Sequence, residues 1–248
     1  MNDTVGPISE ITEEAVRILE AAKANDVPLR LLGGLAIYLQ SPSAKTQEQL
    51  KRSYKDLDFV TLSKQGAKTK ALFTKLGYAG NKNFNALHGH QRLLFWDELH
   101  GRQVDIFVDR MQMCHTIDFR PRLYIDERTL SLADLMLTKL QIVEVNEKDM
   151  LDVMALFMDF DVENSDKGIN SAYISDLLAN DWGFNKTLDT NLKKMKAFAI
   201  ENNFPNIVVE RIDRLLTAME KHPKTFSWKA RAIVGERVRW YELPEEPR

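Results

Sequence analysis

The chain has 248 residues, enough for one large domain or two smaller ones with a packed core. Thirty-four basic against 36 acidic residues leave a formal net charge of −2, so no global field calls for nucleic acid or a membrane surface. Cys114 is the single cysteine, which excludes an internal disulfide framework and a cysteine metal cluster and fits a reducing, cytoplasmic compartment.

The start, Met1-Asn2-Asp3-Thr4, lacks a basic stretch followed by an apolar run, so no secretory signal is expected. Thr12 to Ala24 carries Ala15, Ile18, Leu19 and Ala22 at helical spacing, with Thr12 as N-cap and Glu13 and Glu14 in the first turn. Asn25-Asp26-Val27-Pro28 breaks that helix. Leu29 to Leu32 reads as a short strand that stops at Gly33-Gly34, and Leu35 to Leu39 begins a second helix. The segment from Leu29 to Leu39 is the longest mostly apolar one and is too short to span a bilayer. Two glycines at a strand-to-helix turn place backbone amides where an anion can bind, although plain turn chemistry reads the same way.

Ser41 to Lys55 is polar and basic, with Lys45, Lys51, Arg52 and Lys55, and reads as a long connection or a helix extension. A strand from Leu57 to Leu62 follows. Residues two apart in a strand point to one side, so Asp56 and Asp58 project into a single small volume. Two such carboxylates repel each other unless something positive lies between them, and a divalent cation with oxygen ligands meets that need. The other reading is an edge strand that shows two acids to water.

Lys68 to Leu76 reads as a helix ending at Gly77, and the Asn-rich stretch Gly80 to Gly89 as a loop; His88 and His90 lack an evident third metal ligand and read as solvated. Arg92 to Trp96 and Gln103 to Val108 form a predicted hairpin with its turn near His100-Gly101. Asp105, between Val104 and Ile106, can close the site of Asp56 and Asp58. Asp109 would point the same way only if the strand continued, and Arg110 with the Met-rich segment after it signals the strand's end. A further strand is expected near Leu123 to Ile125.

From there the periodicity is helical near Leu132 to Val145, Lys148 to Phe160, Ile169 to Leu178, Thr187 to Glu201, Ile207 to Met219 and Trp228 to Trp240. The chain is therefore expected to divide into residues 1–128, an α/β half, and residues 129–248, an all-helical half. The methionines at 111, 113, 150, 154 and 158 and Trp182, Trp228 and Trp240 are expected to fill cores. On a helical wheel Lys139 falls amid Leu132, Leu135, Met136 and Val143, inside the apolar face, and needs a partner or a task. Asp149 shares a face with Val153, Leu156 and Phe160, whereas Asp152 and Asp159 are expected on a separate polar flank. A Lys139–Asp149 ion pair would be purely structural.

Gly33-Gly34, then Asp56-Leu57-Asp58-Phe59, then Val104-Asp105-Ile106-Phe107 resembles, in order and spacing, the DNA polymerase beta superfamily of nucleotidyltransferases. The resemblance covers roughly residues 29–109. It extends to Leu135 through Gln141 and Glu147 through Asp152, which look like the lysine and Lys/Arg-Asp motifs of abortive-infection-type nucleotidyltransferase toxins; aminoglycoside-type enzymes share the core. It implies an α+β fold, a polymerase-beta-like core of short mixed sheet and flanking helices followed by an all-helical C-terminal half. It further implies two magnesium ions held by Asp56, Asp58 and Asp105, and a nucleoside triphosphate contacted by Gly33, Gly34, Lys139 and Asp149. Transfer of a nucleoside monophosphate to an acceptor hydroxyl on tRNA, protein or a small molecule, with release of pyrophosphate and no membrane partner, is the implied activity. The rival expectation is a catalytically silent nucleotide-binding or toxin-antitoxin module on the same fold. Residues 35–55 make a longer connection between the glycine and acidic pairs than the superfamily usually has, and acceptor specificity is expected there.

Overall fold

In the computed structural model, which describes residues 6–243, the elements follow in the order α1 (Ile11–Ala24), β1 (Arg30–Leu32), α2 (Gly33–Gln40), α3 (Pro42–Thr46), β2 (Leu57–Thr61), α4 (Gly66–Lys75), β3 (Ala79–Gly80), α5 (Lys82–Leu87), β4 (Arg92–Asp97), β5 (Arg102–Val108), β6 (Arg110–Gln112) and β7 (Thr116–Asp118). Helices then dominate: α6 (Leu132–Leu140), α7 (Glu147–Asp159), α8 (Ser171–Leu178), α9 (Trp182–Glu201), α10 (Asn206–Lys221) and α11 (Phe226–Val234), with a small parallel pair β8 (Val162–Glu163) and β9 (Ile169–Asn170). The architecture is mixed α+β, a small mixed sheet followed by a helical C-terminal half. Residues Met1 to Thr4, which bear on a secretory signal, lie outside the described residues. No described helix is long and apolar enough to cross a membrane.

The chain divides into two compact units. The first holds the described residues up to Leu39, Arg52–Met111 and Asp118–Ser131; the second holds Gln40–Lys51, Gln112–Ile117 and the chain from Leu132 onward. The connection from Ser41 to Lys55 is thus split: residues 41–51 belong with the second unit, and residues 52–55 belong with the first, as does the acidic pair.

In the first unit the strands lie in the order β1-β2-β5-β4-β3. β2 and β5 are parallel, whereas β1 with β2, β4 with β5 and β3 with β4 are antiparallel. The period of two sorts the side chains cleanly. Leu57, Phe59, Leu93, Phe95, Val104 and Ile106 are buried on one face, where Phe73 of α4 lies 5.9 Å from Phe59 and 5.1 Å from Phe95. The opposite face carries Asp58, Arg92, Gln103 and Asp105. Glu10 rather than Thr12 caps α1, accepting from Glu13 N at 2.7 Å. Buried Glu14 binds Arg17, the Tyr78 hydroxyl and Ile8 N. Burial and that carboxylate hold the Tyr78 hydroxyl protonated far above the usual phenol range.

In the first unit two stretches form other elements than expected. Gly80 to Gly89 is not a loop: Asn81 caps α5 by accepting from Phe84 N, and the Asn85 amide pairs with both backbone groups of Leu94, replacing a missing strand neighbour. Leu123 to Ile125 forms turns rather than a strand. The pairing with β1 comes four residues later, where Leu31 N donates to Arg128 O and Leu130 N to Leu31 O, after Asp126 Oδ1 has accepted from Arg128 N and Thr129 N. Asp126 sets that register by satisfying two amides at a bend.

Four helices of the second unit begin where side chains cap them: Asn146, Asn170, Asp181 and Thr225 each accept from the amide three residues on. Asp181 explains why α9 starts five residues before the expected Thr187. His115 is buried against Phe184 at 4.7 Å and hydrogen-bonds Thr187 Oγ1 at 2.9 Å. Met154, like Met111 of the first unit, fills a core, and Trp182 and Trp240 pack edge to face at 6.0 Å.

Candidate functional site

The register of three strands sets two of the expected carboxylates side by side. Leu32 stands beside Asp58 across β1 and β2, and Asp58 stands beside Asp105 across β2 and β5. Asp56 lies exposed one residue before β2 begins. Gly33 follows Leu32 with φ +74°, a left-handed conformation, and a Cβ there would come within 2.6 Å of Asp58 Oδ2. Both the backbone conformation and the approach of the carboxylate therefore require glycine at 33. Gly34 is buried in the first turn of α2.

Asp105 is only 4% exposed and both its oxygens are engaged. Arg92 Nε donates to Oδ1 at 2.7 Å and Gln103 Nε2 to Oδ2 at 2.7 Å. The Arg92 guanidinium lies 5.1 Å from the centre of the Phe107 ring. Among the described residues no group of three or more His, Cys, Asp and Glu side chains is arranged to hold a metal ion. The strands bring Asp105 to Asp58, and Arg92 and Gln103 then occupy it. Asp56 and Asp58 carry carboxylate oxygens of the kind a small hard cation takes, one or two carboxylates completed by substrate phosphates and water.

Asp109 is a turn residue with φ +64° whose Oδ1 accepts from Ser63 N at 2.9 Å, so its carboxylate is spent on the backbone. His88 is exposed at the end of α5, tilted on Phe84 at 4.9 Å, and His90 is exposed. Two features escaped the sequence reading. Arg92 sits on β4, the hairpin partner of β5, and cross-strand neighbours of a buried acid are where a partner should be sought. Arg52 lies 4.4 Å from the Tyr54 ring, which packs on Tyr38 at 5.1 Å. Its signal was the alternation Arg52-x-Tyr54-x-Asp56-x-Asp58.

In the second unit Lys139 meets Asp149 at 2.8 Å and Asp152 at 2.9 Å. Burial pushes its ammonium pKa down, but Asp152 and Asp149 outweigh that and hold it above the usual lysine value. Asp152 is buried facing the lysine instead of lying on a polar flank. Positions three apart on a helix are about 60° from each other around the axis, so one cation reaches both. Asp159 accepts from Ser43 N and Ser43 Oγ.

No protein-family model matches this chain, and no curated protein matches it. Among solved structures it is similar to the crystal structure of JHP933 from Helicobacter pylori, with 11% identity, a TM-score of 0.39, and coverage of 93% of this chain and 100% of that one.

Proposed function

We propose that the first unit is the nucleotide-binding part of a magnesium-dependent nucleotidyltransferase of the polymerase-beta type. The observation that carries this reading is the juxtaposition of Asp58 with Gly33. A carboxylate of an Asp-x-Asp strand packs against a left-handed glycine that opens a helix, which supports placing phosphate oxygens between backbone amides and a bound cation. Asp56 and Asp58 would hold the ion together with the triphosphate, and the chemistry it would supply there is to offset phosphate charge and to lower the pKa of the acceptor hydroxyl. The acceptor oxygen bonds to the α-phosphorus, the bond from that phosphorus to the β-phosphate bridging oxygen breaks, pyrophosphate leaves, and the hydroxyl proton passes to solvent.

Calorimetric titration of each nucleoside triphosphate with magnesium, against the wild type and an Asp56→Asn/Asp58→Asn variant, tests the reading. Binding by the wild type and none by the variant is expected; equal binding by both overturns the site. The engagement of Asp105 by Arg92 and Gln103 favours a second reading, a nucleotide-binding module without turnover. Labelled triphosphates incubated with cell extract separate the two: label on RNA, protein or a small molecule supports transfer, and label on none supports the module.

A further inference from the structure

On the sheet face that bears Asp58, β4 and β5 carry Arg92, Gln103 and Asp105. Arg92 stands opposite Phe107, and Asp105, two residues from Phe107, stands beside Asp58, so all four side chains leave the sheet on one side. The buried carboxylate of Asp105 takes the Arg92 Nε, and the Phe107 ring backs the guanidinium plane. The arginine side chain keeps 22% of its surface exposed, and among the described residues neither of its terminal Nη groups has a hydrogen-bond partner. Four N–H bonds of a guanidinium are thereby left open in a planar fork. A fork fixed through Nε, with its terminal donors free, matches two oxygens of one phosphate group.

The geometry points to Arg92 as a phosphate-binding residue for the triphosphate, with Asp105 as its positioning residue and not as a ligand of the metal. This rests on the nucleotidyl-transfer reading and reassigns one of its three carboxylates.

Manganese(II) binding followed by electron paramagnetic resonance, and inorganic triphosphate and nucleoside triphosphate binding followed by calorimetry, test the assignment on the full chain. Asp105→Asn keeps the manganese affinity of the wild type, whereas Asp56→Asn/Asp58→Asn loses it. Arg92→Gln weakens triphosphate binding by roughly 10- to 100-fold, the loss expected for charge-assisted hydrogen bonds, and Arg92→Lys restores part of it. Because Arg92→Gln strands a buried carboxylate, the double variant Arg92→Gln/Asp105→Asn repeats the measurement with no unpaired charge, and the same weakening is expected.

Loss of manganese in Asp105→Asn as severe as in the Asp56/Asp58 variant makes Asp105 a ligand and overturns the inference. Wild-type triphosphate affinity in Arg92→Gln or in the double variant overturns it as well. If manganese and nucleotide bind the wild type through Asp56 and Asp58 while every Arg92 variant binds normally, this inference alone falls. If the wild type binds neither manganese nor any triphosphate, the nucleotidyl-transfer reading falls with it.

Discussion

Gly33 and His115 show how single residues constrain this protein in opposite ways. Gly33→Ala must adopt a left-handed backbone and push the Asp58 carboxylate aside, because the new Cβ would meet Oδ2 at 2.6 Å. The strain costs about 1–2 kcal/mol in thermal or urea unfolding, and nucleotide binding is expected to fail even where the variant remains folded. His115 constrains through protonation. Burial against Phe184 pushes its pKa down from 6.5 to about 4, although Asp181 partly opposes the shift. A histidine depressed in the folded state binds its proton more readily when unfolded, so its contribution is complete above pH 6.5 and is lost as pH falls toward 4. Urea unfolding between pH 7 and pH 4.5 is expected to lose about 2 kcal/mol through this group, a loss absent in His115→Gln. The carboxylates and glycines were legible in the sequence because their spacing fixes a common side. Arg92 was not, since its role depends on which strand pairs with β5, and Asp152 was hidden by assigning polar residues to solvent.

At the scale of elements, hydrophobic periodicity identified the helices and the β4–β5 hairpin because apolar side chains alone set those periods. It failed where polar side chains do the organising, at α5 with Asn81 and Asn85 and at the bend held by Asp126. The segment from Gln40 to Lys51 is the clearest case. Composition made it a polar connection, yet α3 lacks a side-chain cap of its own, and Asp159 of α7 supplies a carboxylate to Ser43 N at its first turn. Lys51 is spent on Glu48 within the same segment. Asp159→Ala is expected to cost about 1 kcal/mol in urea unfolding and to accelerate amide exchange in α3, because an amide at a helix start loses its acceptor. Unchanged exchange at Ser43 would show that the connection is held by its apolar contacts instead.

For the whole molecule, charge placement separates stability from function. Lys139 lies between half-buried Asp149 and buried Asp152 inside the second unit, and removing it would take a shared cation from both carboxylates. Asp56, exposed just before β2, and Asp58, within it, are by contrast two like charges two residues apart, which a divalent cation would draw together. The melting temperature of Asp56→Asn/Asp58→Asn without divalent ions is the baseline against which cation binding is read. Magnesium with triphosphate at a hundred times its dissociation constant would raise the wild-type stability by about 2.7 kcal/mol, seen as a higher melting temperature, and leave the variant unmoved. A variant that melts well below the metal-free wild type would mean that the pair is structural. A rise in melting temperature with magnesium and triphosphate in the wild type alone marks a site held ready for a cation, and an equal response of both proteins marks an edge that merely shows acids to water.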